Sequence, residues 1–244
     1  MDGPTKATLI IAAVLGTLFV AAVIRSALGF GNALIAMPLL ALLIGVKTAS
    51  PLVALTAATM TLIVLAGTWR QTDFKVAWRL VVATLVGIPF GLFFLKQAPE
   101  SAVKGILGVV IIVFGLYNLI GPKLPELAGE GLAGVVGCVA GTVSGAYNTG
   151  GPPVVLYGVL RRWPPDTFRA TLNGYLLPTG AAVLIGHAAT GLWTGEVWRW
   201  YLYSLPAVAA GVLLGGRVHR VVGRERFAQA VNLFLIIMGI VLLF

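Results

Sequence analysis

Residues 26–38 read SALGFGNALIAMP, directly after Arg25, and about 120 residues later the chain returns to the theme with SGAYNTGGPPVVLY, Ser144 to Tyr157. Both stretches sit inside long hydrophobic tracts, where an unbroken apolar helix would leave no backbone group unsatisfied. Gly, Asn, Pro and a nearby charge interrupt such a helix twice, at matching places. Their reading decides the fold, and it begins with the solvent the chain is built for.

Hydrophobic residues make up 59% of the 244 residues, charged residues 10%, and the mean hydropathy is +0.98. A soluble domain carries roughly 25% charged residues, so this chain has too little polar surface to face water. Uncharged runs occupy 7–24, 26–46, 48–69, 80–95, 105–122, 131–160, 170–195, 200–216 and 227–244. Most are long enough to cross a bilayer, because ~20 helical residues span ~30 Å of hydrocarbon. A transmembrane β-barrel would show alternating segments of ~10 residues, and none is present. The composition predicts an all-α polytopic membrane protein. Residues 7–24 read as the first span and not as a signal peptide, since the charged region before them is weak and no small-x-small cleavage site follows. The last apolar run ends at Phe244, so no soluble domain is expected at either end.

The net charge of +9 does not point to nucleic acid, because the basic residues cluster in short loops: Arg70, Lys75 and Arg79; Arg161, Arg162 and Arg169; Arg217, Arg220, Arg224 and Arg226. Short loops rich in Lys and Arg stay cytoplasmic during insertion. The one cysteine, Cys138, allows neither an internal disulfide nor a thiolate metal cluster. Two histidines, His187 and His219, are too few and too separate for zinc. No metal or cofactor is called for.

The interruption around Gly29–Gly31 recurs around Gly150–Gly151, GIPFG (87–91) is echoed by GVLLG (211–215), and IIVFGLYNLI (111–120) by FLIIMGIVLLF (234–244). The spacing predicts two repeats, 1–120 and 131–244, joined by a proline-bearing loop at 121–130. Each holds five apolar elements: 7–25, 33–45, 49–68, 78–96 and 101–120, then 129–146, 152–160, 167–188, 196–216 and 226–244. An odd number per repeat makes the second half enter from the opposite side, and inverted repeats are a common plan of secondary transporters. With both termini outside, the loops near 70–79, 121–125, 161–169 and 217–226 are cytoplasmic and hold eleven of the seventeen Lys and Arg residues, against five on the other side. Arg25 belongs to neither group. The positive-inside rule is satisfied.

A break in a membrane helix frees N–H and C=O groups that cost several kcal/mol each in lipid, so it survives only when buried in protein or lining a cavity. Gly29, Gly31, Gly150 and Gly151 permit the turns and the close approach of a ligand. Asn32, Asn148 and Thr149 are expected as N-caps of the short helices that follow, and Pro152 or Pro153 suits the first helical turn. Each repeat then aims a helix N-terminus, which attracts anions, into the protein. Arg25 has the same sign, and no Asp or Glu lies within the uncharged runs to pair with it. A small anion is the inferred partner.

Other polar and small residues read as structural. The pairs Gly87/Gly91, Gly137/Gly141, Gly141/Gly145 and Gly211/Gly215 are assigned to helix packing. Ser26, Ser144, Tyr147, Tyr157, Asn173 and Tyr175 either line a pore or bond between helices. His187 reads as interfacial, and Trp69, Trp78, Trp163, Trp193, Trp198 and Trp200 as an aromatic belt.

The stretches GFGNALIAMPLL, with a span from Ala49–Ser50, and SGAYNTGGPPVVLYGVL, followed by RATLNGYLL, resemble the TauE/SafE family of sulfite exporters, also called the toluenesulfonate uptake permeases. The resemblance covers essentially the whole chain. Asn32 stands where a further Gly is usual, and Asn148–Thr149 precede the second glycine pair. The resemblance implies transport of sulfite or a related sulfur-containing or carboxylate anion across a prokaryotic cytoplasmic membrane, with the two Gly-rich turns as the site. The candidate substrate contacts are Arg25, Gly29, Gly31, Asn32, Ser144, Asn148, Thr149, Gly150 and Gly151. The partners expected are the small anion and the lipid bilayer, with no nucleic acid; a homo-oligomer is allowed. No Gly-x4-Gly-Lys-Ser/Thr loop is present, so energy must come from gradients. An anion channel built on the same site is the alternative. A remote one is an intramembrane serine protease using Ser144 and His187, although Thr142 stands where such enzymes usually carry Gly.

Overall fold

A computed structural model of the chain describes residues 3–28, 31–68, 74–121, 126, 131–218 and 224–243. Among them the regular elements are ten α-helices: α1 Gly3–Leu28, α2 Asn32–Ile44, α3 Val46–Thr68, α4 Phe74–Gln97, α5 Glu100–Ile120, α6 Ala133–Tyr147, α7 Gly151–Leu160, α8 Pro165–Ala189, α9 Gly195–Val218 and α10 Arg224–Leu243. Helices satisfy every backbone bond within one segment, which is what the apolar runs demand. Among the described residues, four windows are long and apolar enough to cross a bilayer: Ala7–Ser26, Val46–Ile63, Trp78–Gln97 and Glu100–Ile120. Shorter apolar helices include α2, with 13 residues, and α7, with 10. At ~1.5 Å per residue neither reaches across ~30 Å. Val82, Leu85, Val86, Phe90 and Phe93 of α4 are all exposed, the opposite of what a water-soluble helix tolerates.

The helices form two compact units. The first comprises Met1–Val64, Pro99–Ile120 and Trp193–Phe244; the second comprises Leu65–Ala98 and Gly121–Leu192. Each draws helices from both halves of the sequence. In the first, α1 lies along α9 and α5 along α10, while α2 packs on α1, α5 and α10. In the second, α4 lies along α6 and α8, and α7 packs on α6 and α8.

Glycines set these contacts, as the spacing indicated. A Cβ on Gly87 would strike the Cys138 carbonyl oxygen, and one on Gly91 that of Thr142; from the facing helix, Gly141 meets Thr84 O and Gly145 meets Ile88 O. Partner numbers rise together, so α4 and α6 run parallel. In the first unit Gly211 abuts Phe19 O and Gly215 abuts Val23 O, so α1 and α9 are parallel too. Gly108 faces Gly239 O, whereas Gly115 faces Asn232 O; falling numbers make α5 and α10 antiparallel. Small residues let helix backbones approach where lipid offers no hydrophobic drive to association.

Ion pairs and polar contacts at the helix ends join residues that the charge pattern puts on one face. Arg162 Nε meets Glu126 Oε2 at 3.2 Å, both in loops expected to be cytoplasmic. Lys96 Nζ donates to Thr190 O at 2.9 Å, on the opposite expected face. Of the basic residues that set the orientation, Arg70, Lys123 and Arg220 lie outside the described residues, as do Trp69 and the side chains of Lys75, Arg169, Arg217, Arg224 and Arg226.

Candidate functional site

The first interruption lies within the first unit. α1 continues through Arg25 to Leu28, and α2 starts at Asn32 behind Gly31, whose φ of 96° is left-handed. Gly29 lies outside the described residues. Gly31 is the N-cap and there is no side-chain cap bond, so Asn32 does not cap α2 as expected. It is the first helical residue, and its side chain turns elsewhere: Arg25 Nη1 donates to Asn32 Oδ1 at 3.1 Å. Arg25 Nη2 donates to Thr61 Oγ1 of α3, and that hydroxyl in turn donates to Ala57 O at 2.8 Å. The opening turn of α2, Asn32 to Ile35, is buried.

The guanidinium donates to two neutral oxygens, and among the described residues no carboxylate forms an ion pair with it. The positive group therefore stands beside the positive end of α2 with no compensating charge there. Thr61 leaves no trace in the sequence, because nothing local links positions 36 residues apart.

The second interruption lies within the second unit. Asn148 and Thr149 are not N-caps of α7 either. Asn148 closes α6 in the left-handed region, φ 57°, with its N–H on Ser144 O at 2.8 Å; Asn is among the few side chains that accept this conformation readily. Gly150 is the N-cap of α7, without a side-chain cap bond. A Cβ there would collide with Ser144 Oγ and lie 2.6 Å from Ala140 O, whereas nothing lies within 4 Å of one on Gly151. So Gly150 is required by close approach, and Gly151 faces open space. Pro152 and Pro153 occupy the first turn as expected. Each lacks an N–H, so among the four orphan donors of a helix start only those of Gly150 and Gly151 remain.

Thr149 stands directly before them. It is 2% exposed, and its hydroxyl has no hydrogen-bond partner among the described residues. A buried polar group left unpaired is costly and calls for an explanation. The structure thus gathers a hydroxyl and two backbone N–H groups on three consecutive residues, a donor set suited to a small oxyanion.

Below this turn is a hydroxyl network. Thr84 Oγ1 of α4 donates to Gly137 O at 2.9 Å and lies 3.1 Å from the Tyr175 hydroxyl, which also bonds Ser144. Thr171, one helical turn before Tyr175 on α8, is fully buried, and its hydroxyl has no partner among the described residues. Sequence reasoning named Tyr175 but passed over Thr171; its spacing of four placed it on the same face. The side chain of Asn173 lies outside the described residues.

His187, in the last turn of α8, is fully buried within the second unit, with Nε2 3.3 Å from Gly145 O. This comes from the glycine contact of α4 with α6 and the seating of α8 on both, which enclose its ring. Ser144 engages Tyr175 and backs Gly150, so both members of the supposed protease pair have structural contacts. Ser26, by contrast, bonds between helices as its commoner role predicts, donating to Val212 O at 2.8 Å. No group of metal-ligating side chains occurs among the described residues.

The model of the sulfite exporter TauE/SafE family matches residues 14–242 of the chain. A protein of Cupriavidus necator named "Probable sulfite/organosulfonate exporter TauE" is 28% identical over 176 residues, covering 68% of this chain and 69% of that protein. No solved structure matches the chain.

Proposed function

Since the chain belongs to the TauE/SafE sulfite exporter family, a family of membrane transporters, we propose that it carries sulfite or a related small sulfur-containing anion across the cytoplasmic membrane by alternating access, as a secondary exporter. The observation that carries this reading is Arg25. A guanidinium inside a membrane protein, held by the neutral oxygens of Asn32 and Thr61 at a helix N-terminus, has no negative partner among the described residues. An oxyanion supplies one, accepting from the remaining guanidinium N–H groups and from the first N–H groups of α2. In the second unit, Thr149, Gly150 and Gly151 offer the matching donors. The name of the Cupriavidus necator relative makes sulfite the first substrate to try and organosulfonates the second.

The packing supports a repeat of opposite orientation. If α1 corresponds to α6 and α4 to α9, the parallel pair α1/α9 corresponds to the parallel pair α6/α4. The antiparallel pair α5/α10 is then its own counterpart. A channel would use the same donors, and transport kinetics separate the two. Sulfite flux into proteoliposomes should saturate, and preloaded sulfite should accelerate it by exchange. Flux that rises linearly and ignores the opposite side would establish a channel. Flux no greater than in empty vesicles would remove sulfite as the substrate.

A further inference from the structure

His187 belongs to none of the anion contacts, yet it is a titratable group sealed within the second unit. Its Nε2 faces the carbonyl of Gly145 at 3.3 Å. A carbonyl only accepts, so Nε2 carries a hydrogen and the neutral ring keeps its lone pair on Nδ1. Gly145 lies in the last turn of α6, where carbonyls lack intrahelical partners and the helix end is negative. Three residues later the chain turns through Asn148 and Thr149 into the positive start of α7. The imidazole therefore sits at the negative end of one helix, and the anion contacts form the positive end of the next.

We propose that His187 is the proton-coupling residue of this transporter: it takes up a proton at Nδ1 when an anion occupies the Thr149–Gly151 turn, and both are released together. The inference rests on the reading of that turn as an anion site. A positive ring beside a helix C-terminus is favoured, and an added anion on the adjoining turn supplies its counter-charge. Binding linkage is reciprocal, so the proton tightens the anion as much as the anion tightens the proton. The surroundings leave this role to His187. From α4 the nearest charge is Lys96, whose Nζ bonds Thr190 O, three residues beyond. α6 presents Tyr147 and Cys138, α7 presents Tyr157, and α8 itself presents Tyr175. The one carboxylate in the sequence of these four helices is Asp166, at the far end of α8. Among the described residues of these helices no acid stands beside the turn to carry a proton.

The test is calorimetric titration of hydrogensulfite into the purified full chain, in two buffers of different ionisation enthalpy. Mildly acidic pH keeps the substrate itself as hydrogensulfite throughout. The parent protein is expected to take up close to one proton per anion bound, and its affinity to rise by about tenfold per unit fall in pH while the free ring is neutral. His187→Gln should bind with no proton uptake and no pH dependence. His219→Gln, which removes the chain's other histidine, should behave as the parent. Anion binding by the parent without proton uptake overturns the proposal whatever the variants do. Equal uptake in His187→Gln overturns it as well. Failure of the parent to bind hydrogensulfite would instead strike the anion reading on which it stands.

Discussion

At the scale of single residues, the proposed anion site makes the effects on function and on stability separable at Arg25 and Thr149. Arg25→Gln keeps a donor for Asn32 and removes the uncompensated charge. Because an unpaired charge at membrane depth costs at least ~2.5 kcal/mol, this variant should unfold at the same temperature or higher in detergent while losing sulfite affinity. A fall in both would make Arg25 a structural tie. Thr149→Val removes a buried hydroxyl that has no hydrogen-bond partner among the described residues, so stability should hold. The half-saturation concentration for sulfite should rise roughly tenfold or more, the effect of losing a ~1.5–3 kcal/mol hydrogen bond to a charged group; an unchanged value would show the hydroxyl faces no substrate. The proposed site starts from features legible in the sequence. Arg25 and the two glycine pairs announced themselves by being polar or helix-breaking in apolar runs. The capping roles of Asn32, Asn148 and Thr149 were not legible, because a side chain that caps in isolation turns elsewhere when a guanidinium is in reach or the preceding helix needs a left-handed end.

At the scale of elements, the interruptions are set by which glycine is crowded and which is not. Gly150→Ala should disrupt folding, since its Cβ meets Ser144 Oγ and Ala140 O, whereas Gly151→Ala has room and should insert and fold normally. Thermal unfolding of the two purified variants compares them, and equal stability would refute the close packing of α6 on the start of α7. The packing glycines obey the same logic. Gly91→Val on α4 places a branched side chain against the Thr142 carbonyl and the Ala146 amide of α6. Overpacking typically costs 1–3 kcal/mol, so its unfolding midpoint should drop by several degrees. These contacts were foreseen because Gly-x-x-x-Gly repeats with the helix turn. The burial of His187 was not, since hydropathy locates a residue along a span but not the neighbours that cover it.

At the scale of the whole molecule, the ten helices and their ends follow the apolar runs closely, because the bilayer leaves a chain few alternatives to helices of set length. The compact units could not be read that way. The sequence divides at the 121–130 loop, but contacts join α9 to α1, α10 to α5 and α2, and α4 to α6 and α8, and long-range partners leave no local trace. Orientation gives a direct expectation. In a background lacking Cys138, Arg162→Cys should react with an impermeant maleimide only from the cytoplasmic side, and Lys104→Cys only from the outside. The reverse result would invert the topology, and labelling of both from one side would break it.

The central claim is that the first turn binds the transported anion through Arg25. The most direct measurement is sulfite counterflow in proteoliposomes containing either the parent or Arg25→Gln, matched for inserted, folded protein. Saturable, trans-stimulated uptake is expected from the parent, and a loss of at least about tenfold in apparent affinity from the variant, the size of one charge-assisted hydrogen bond. Identical counterflow from the two proteins would contradict the claim.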